Sequence, residues 1–87
     1  MPVVFREAGF RFHFYSHEGD PREPVHVHAA RPGGEAKLWL YPEVRVAYNR
    51  RLSPRELRMI QAIAAARREE IDHAWNAFFA GADGRPL

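Results

Sequence analysis

His26 and His28 are the side chains whose types and spacing could do chemistry in this sequence. Two residues apart on a β-strand, both imidazoles project to the same side, with Cα atoms about 6.7 Å apart. Such a pair can hold one divalent transition metal, the one cofactor to which these residues point. A metal site needs one or two further ligands. The nearby side chains that could supply them are His13, His17, Glu18, Asp20 and Glu23.

Without a metal, the same histidine pair predicts ribonuclease chemistry, and no cofactor is then required. One imidazole would take the proton from a ribose 2′-hydroxyl and the other would protonate the leaving oxygen, while Lys37 or Arg45 would stabilise the charge on the phosphate. A third interpretation is that His26 and His28 only form hydrogen bonds with their neighbours on the strand. The residues themselves leave all three interpretations open.

The elements that must position these histidines follow from periodicity. Over residues 3–48, apolar side chains alternate with polar ones in short segments bounded by Gly and Pro, which is typical of antiparallel strands. Ala8-Gly9 and Arg31-Pro32-Gly33-Gly34 have the composition of hairpin turns. The predicted strands cover residues 3–7, 10–16, 25–30, 35–41 and 44–48. We therefore expect a four- to five-stranded antiparallel meander.

A helix follows the predicted sheet. The sequence Ser53-Pro54-Arg55-Glu56 combines an N-cap hydroxyl, a proline at the first helical position and a glutamate that completes a capping box. Beyond it, an apolar stripe keeps its helical phase without an internal Gly or Pro. This pattern favours a single helix over residues 54–80, about 39 Å long, over the alternative of a break near Arg67-Arg68. The fold class is therefore α+β, with the sheet packed on one long C-terminal helix.

The predicted helix is longer than the strands, because strands of six or seven residues span only about 20–24 Å. Its second half must either pack on the first hairpin or meet a second copy of the chain. The apolar side chains of that half, Ile71, Trp75 and Phe78, are accordingly either core residues of the monomer or the interface of a homodimer.

Alternation divides the strands between two faces. One face is apolar and would lie under the helix; its members are Phe10, Phe12, Phe14, Val25, Val27, Ala36, Leu38, Leu40, Val44 and Val46. A single helix leaves the other face open to water. That face carries Arg11, His13, Tyr15, His17, His26, His28, Lys37, Trp39, Tyr41 and Arg45.

Aromatic rings interleaved with cations are what binding of single-stranded RNA requires, because bases stack on rings and phosphates meet Arg and Lys. We therefore predict that this open face binds RNA or a partner protein. The alternative is that the rings pack as cross-strand pairs and only stabilise the sheet. Besides the two histidines and Lys37, the predicted binding residues are Arg11, Tyr15, Trp39, Tyr41 and Arg45.

Length and composition limit the remaining possibilities. A chain of 87 residues fits one domain, which we expect over residues 1–80, with a flexible tail over 81–87. The absence of cysteine excludes disulfides, thiolate zinc sites and cysteine nucleophiles, and favours a cytoplasmic location. No apolar stretch approaches the roughly 20 residues of a membrane span, so no membrane partner is expected. The net charge of +2 does not by itself indicate a nucleic-acid partner.

Six segments along nearly the whole chain resemble the DUF4160 family of small bacterial proteins. They are Phe-His-Phe-Tyr-Ser-His-Glu at 12–18, Glu-Pro-Val-His-Val-His at 23–28, Ala-Lys-Leu-Trp-Leu at 36–40, Ala-Tyr-Asn at 47–49, Ser-Pro-Arg-Glu-Leu at 53–57 and Ala-Trp-Asn at 74–76. The family motif maps onto His26, His28, Lys37, Trp39 and Trp75.

The resemblance implies a domain of unknown function that often lies beside DUF2442-type proteins, in pairs that resemble toxin–antitoxin modules. His13 and His17 depart from the family pattern, which has an apolar or aromatic residue and an asparagine there, so His26 and His28 are the stronger candidates. We therefore predict a cytoplasmic component of a two-protein, toxin–antitoxin-like module.

Overall fold

A five-stranded antiparallel sheet forms the first part of the chain. The computed structural model describes residues 3–16 and 23–80. The strands are β1 (Val3–Glu7), β2 (Phe10–His13), β3 (His26–Arg31), β4 (Gly34–Trp39) and β5 (Arg45–Arg50). They pair in chain order, so the sheet is the predicted meander, and the helices that follow confirm the α+β class.

Both predicted hairpin turns are present. Ala8 (φ 54°) and Gly9 (φ 82°) form the loop between β1 and β2, and two positive φ values are the signature of a type I′ turn, whose twist matches that of the strands. Pro32 and Gly33 join β3 to β4, with a φ of 82° at Gly33 that suits a residue without a Cβ.

The helical segment covers the predicted range as two helices, α1 (Pro54–Ala66) and α2 (Arg68–Phe79). The predicted capping box is formed, because the Glu56 amide donates to Ser53 Oγ at 3.1 Å and the Ser53 amide donates to Glu56 Oε1 at 2.9 Å. The difference from one continuous helix is confined to Arg67, whose φ and ψ of −113° and 24° leave the helical region.

Contacts with the sheet hold Arg67 at the junction of the two helices. Its guanidinium donates to Glu7 of β1 at 2.8 Å and to Glu70 of α2 at 2.8 and 2.9 Å, and it lies over the Phe5 ring at 3.4 Å. Hydrogen bonds continue on both sides of the junction, from the Arg67 amide to Ile63 and from the Ile71 amide to Arg67. The interruption is therefore one residue wide.

The apolar face of the sheet packs against both helices. The core between the sheet and the helices consists of the buried side chains of Phe10, Phe12, Phe14, Val27, Ala29, Ala36, Leu38, Leu40, Leu52, Ile60, Ala64, Ile71, Trp75 and Phe79. Trp75 contacts Phe14 just after β2 and His26 at the start of β3, with ring centroids 5.2 and 4.8 Å apart. Within residues 3–16 and 23–80, neither helix has the length and apolarity needed to cross a bilayer.

Candidate functional site

The strand register arranges the polar face of the sheet in three cross-strand rows. The first row is Arg6, Arg11, Ala30, Glu35 and Arg50. The second is His13, His28, Lys37 and Tyr48, and the third is His26, Trp39 and Arg45. We call these three rows the histidine face. Neighbouring members of a row lie on adjacent strands, about 4.8 Å apart.

Glu35 is the centre of the histidine face. The Tyr15 hydroxyl donates a hydrogen bond of 2.8 Å to Glu35 Oε2. The same oxygen lies 3.3 Å from His28 Nδ1 and 3.7 Å from His13 Nε2, and Oε1 accepts from Arg50 at 3.5 Å. Glu35 is only 7% exposed, and its carboxyl group thus contacts side chains of β2, β3 and β5 and of Tyr15 just after β2.

Tyr15 lies across the two histidines of the middle row. Its ring meets His28 and His13 edge-on, with centroids 4.5 and 4.9 Å apart, and the two imidazoles stack on each other at 5.4 Å. His13 is 0% and His28 is 2% exposed. The expectation that these histidines lie on an open face is therefore wrong, because the ring of Tyr15, just after β2, lies against both of them.

Burial affects the protonation of His13 and Tyr15. It lowers the pKa of His13, and the nearby His28 and Arg11 lower it further, so the neutral imidazole is favoured at neutral pH. Burial and the hydrogen bond to Glu35 together raise the pKa of Tyr15 to about 12. Tyr15 therefore remains a hydrogen-bond donor throughout the physiological range.

His26 is packed differently from His28. Its Nδ1 lies 2.9 Å from the Pro24 carbonyl oxygen, and its ring lies between Trp39 and Trp75 at centroid distances of 5.5 and 4.8 Å. The His26 and His28 rings are 5.3 Å apart and nearly perpendicular. His26 is 0% exposed, so this predicted catalytic or metal-binding residue contacts core aromatic rings.

The metal interpretation gains no further ligands from the part of the chain that the structure describes. Among residues 3–16 and 23–80, no group of three or more His, Asp or Glu side chains is arranged to hold a metal ion. Of the proposed additional ligands, Glu23 contacts Lys37. His17, Glu18 and Asp20 lie outside the described residues, as does the predicted tail.

Lys37 is an ion-pair partner on this face. Its Nζ donates to Glu23 Oε1 at 3.0 Å and lies 4.5 Å from the centroid of the Trp39 ring. The predicted phosphate-stabilising charge is thus already matched by a carboxylate and an aromatic ring.

The predicted binding residues divide into three groups. Arg11, Trp39 and Arg45 lie on the histidine face as predicted, and Tyr15 covers its centre. Tyr41 lies beyond the end of β4, where strand alternation no longer applies, and its ring faces Arg68 of α2 at 5.1 Å. Its assignment to this face is therefore corrected.

The predicted interface residues also separate. Ile71 and Trp75 are 0% and 1% exposed within the single chain, because they pack on the sheet. They are core residues, and their assignment to an interface is corrected. Phe78 is 39% exposed, so a homodimer through the C-terminal helix remains a prediction that would depend on Phe78.

Sequence reasoning missed Tyr48 and Glu35. The pairs Leu38–Val46 and Lys37–Tyr48 leave Ala47 as an extra residue in β5. This bulge moves Tyr48 onto the histidine face, whereas alternation from Val46 would point it at the helices. Glu35 could have been found, because it shares the parity of Lys37 in β4.

Chemically, the histidine face combines a covered centre with an exposed rim. A general base or acid must reach its substrate, which buried histidines under Tyr15 do not. Tyr48 is 44% exposed, and Arg45 is exposed beside the half-buried Trp39. On the described part of this face, the groups that a ligand can meet are therefore cations and aromatic rings.

Comparison with known proteins supplies a family. Neither the curated proteins nor the solved structures contain a match to this chain. The sequence profile of the domain of unknown function DUF4160 matches residues 9–76, which include β2 to β5, α1 and most of α2. Because this match covers well over half of the chain, the protein belongs to the DUF4160 family.

Proposed function

We propose that this domain binds single-stranded RNA through the rim of the histidine face, as one component of a two-protein, toxin–antitoxin-like module. The observation that carries the proposal is the pattern of charge on this face. Arg6, Arg11 and Arg45 form no ion pair within the described residues, whereas Lys37 is paired with Glu23 and Arg50 contacts Glu35. Cations without carboxylate partners are available to phosphates.

The aromatic side chains add the second requirement for binding of single strands. Tyr48 lies near Arg45 on β5, so a base stacked on its exposed ring would bring the phosphate near a cation. The half-buried Trp39, opposite Arg45, already has Lys37 over its ring. Stacking on an aromatic side chain contributes about 1–3 kcal/mol per base and tolerates any base. This favours RNA over an acidic protein partner, which would need the cations but not the exposed rings.

The test is the binding of a fluorescein-labelled oligouridine, followed by anisotropy at low and at physiological salt. We expect Tyr48→Ala to weaken binding by about 1–3 kcal/mol. Arg45→Gln should weaken it and also reduce the salt dependence, because one fewer phosphate contact releases fewer counterions. Arg58→Gln is the matched control, since Arg58 is an exposed arginine of α1 and lies outside the histidine face.

Equal affinity of wild type, Tyr48→Ala and Arg45→Gln, or no binding by the wild type at low salt, would overturn the RNA proposal.

A native mass spectrum of protein purified from its own cells with a histidine-free tag tests the two-protein module. A second chain in place of RNA would indicate a protein partner. One bound metal ion would instead favour the metal site at His26 and His28.

The same RNA incubation tests the ribonuclease alternative. We expect the oligonucleotide to remain intact in metal-free buffer, because His26 and His28 are 0% and 2% exposed. Products with a 2′,3′-cyclic phosphate that disappear in His28→Ala would establish the ribonuclease instead.

A further inference from the structure

Arg6 and Arg11 form an unusual cross-strand pair. They lie directly opposite each other in β1 and β2, on the histidine face and next to the Ala8-Gly9 turn. Like charges at opposed positions destabilise a sheet, and no carboxylate among the described residues relieves the repulsion. The charge at this corner is therefore unbalanced.

Other arginines at this end of the sheet are matched by carboxylates. Arg31 donates through Nε and Nη2 to the two oxygens of Glu56, the second at 2.9 Å, and Arg50 contacts Glu35. Arg6 and Arg11 differ from these neighbours in having no such partner within residues 3–16 and 23–80. The difference marks the position at which an external anion would be bound.

A concave site lies beside the pair. Its volume is about 330 Å³, and it is lined by Arg6, Gly9, Phe10, Arg11, Ala30, Arg31 and Pro32. No acidic side chain lines it among the described residues. Ala30 stands opposite Arg11 in the register, and a methyl side chain there leaves room that a longer residue would fill. At Gly9, the position of a Cβ would meet no atom within 4 Å, so the turn also leaves space.

One hydrogen-bond donor of Arg11 lacks an acceptor among the described residues. Its Nε is buried from solvent and has no hydrogen-bond partner in the described part of the chain. A buried donor without an acceptor is costly, and for a guanidinium the acceptor that fits best is a planar or tetrahedral oxyanion. Guanidinium groups bind phosphate oxygens in a bidentate arrangement, which suits both Arg11 and Arg6.

We infer that Arg6 and Arg11 form an oxyanion site for a phosphate group. This inference rests on the proposed function in one respect, the source of the phosphate, which would be the backbone of the bound RNA. A free phosphate group offers the same chemistry. The site lies at the end of the first row, so an RNA strand held by Tyr48 and Arg45 would extend toward it across the sheet.

The experiment is a titration of the protein with inorganic phosphate at constant ionic strength, observed through the arginine Nε–Hε signals in ¹⁵N–¹H NMR spectra. We expect the Arg11 signal to move with saturation, because a phosphate bound to the guanidinium changes the surroundings of its Nε. Arg11→Gln should weaken phosphate binding about tenfold or more, since a hydrogen bond to a charged group is lost. Arg6→Gln should weaken it as well, and Arg58→Gln should not.

Folding of the variants is checked by thermal unfolding. Because each glutamine relieves a repulsion, we expect Arg6→Gln and Arg11→Gln to have a Tm in phosphate-free buffer equal to or higher than that of the wild type. An Arg11 signal that does not move, or moves equally with chloride, would overturn the phosphate site. Equal saturation by acetate would replace phosphate with a carboxylate ligand and would also overturn it.

The RNA titration separates the two proposals. If Arg11→Gln weakens oligouridine binding and lowers the salt dependence, the RNA backbone is the source of the phosphate. If RNA binding requires Tyr48 and Arg45 but not Arg6 or Arg11, the RNA backbone is not the source of the phosphate, and the proposed function stands. If phosphate moves the Arg11 signal but the wild type binds no RNA, the site is a small-anion site and the proposed function is wrong.

Discussion

The Tyr15 hydroxyl donates a hydrogen bond of 2.8 Å to Glu35 Oε2 and so joins the end of β2 to β4, across the strand between them. The Tyr15 ring lies against His28 of β3, the strand between β2 and β4. One long-range contact therefore determines which parts of the histidine face remain accessible. It covers the predicted catalytic residue His28 together with His13, and it leaves cations and aromatic rings at the rim.

Removal of this hydroxyl should destabilise the fold. In Tyr15→Phe, Glu35 keeps its 7% exposure but loses its shortest hydrogen bond, and we expect the free energy of unfolding to fall by about 1–3 kcal/mol. Urea unfolding followed by circular dichroism measures the change. Tyr41→Phe is the matched control, because Tyr41 is 46% exposed, and it should have almost no effect. Equal stability of the two variants would contradict a structural role for the hydrogen bond.

High pH should weaken the same contact. The pKa of Tyr15 is raised to about 12 in the folded protein, above the value near 10 that the unfolded chain has. A raised folded pKa means that the stabilisation is complete below pH 10 and is lost as the pH rises toward 12. Unfolding midpoints measured between these pH values should fall more steeply for the wild type than for Tyr15→Phe. Parallel profiles would show that Tyr15 does not titrate in this way.

Low pH should destabilise the protein through His13. Its pKa is lowered in the folded state, chiefly by burial and then by His28 and Arg11, while a backbone hydrogen bond at Phe14 and the charge of Glu35 act in the opposite direction. A lowered folded pKa means that stability is complete above pH 6.5 and is lost as the pH falls through the folded pKa. We expect His13→Phe to flatten the stability profile below pH 6.5. If the stability of His13→Phe falls below pH 6.5 as steeply as that of the wild type, the prediction is contradicted.

The first hairpin turn can be improved. Ala8 has a φ of 54°, a left-handed conformation that an alanine side chain resists and that asparagine tolerates. Ala8→Asn creates the Asn-Gly pair preferred in type I′ turns and should raise the free energy of unfolding by about 0.5–1 kcal/mol. Ala8→Val is the opposing control, since a β-branched residue at this φ should destabilise. Thermal unfolding of the three proteins gives the order directly.

The two large aromatic residues of α2 should differ in their effect on stability. Trp75 is 1% exposed between Phe14 and His26, so Trp75→Ala should cost about 3–5 kcal/mol. Phe78 is 39% exposed, and Phe78→Ala should lower the free energy of unfolding of the monomer by about 1 kcal/mol or less.

Sedimentation velocity on wild type and Phe78→Ala tests the predicted homodimer. A dimer that persists unchanged in this variant would remove Phe78 from any interface.

Much of the fold could be predicted because its signals are local. The Ser53 capping box, the Ala8-Gly9 turn and the alternation of Phe10 and Phe12 each depend on residues a few positions apart. The backbone geometry of a turn, a helix start or a strand is set by those same neighbours. The five strands, their order and the start of α1 were therefore predictable from the sequence.

Other features depend on residues far apart in the chain, so local patterns do not decide them. Arg67 interrupts the helix where Glu7 and Phe5 of β1 contact its guanidinium. The extra residue Ala47 reverses the alternation that would otherwise place Tyr48 under the helices.

The sequence by itself determined that His13 and His28 share one face of a sheet with cations and aromatic rings. Only the tertiary structure decided that these histidines are covered and that no carboxylate among residues 3–16 and 23–80 pairs with Arg6 or Arg11. The physical reason is that alternation specifies the side of a strand on which a residue lies. Exposure and pairing depend instead on strand register and on the distant segments that fold over that side.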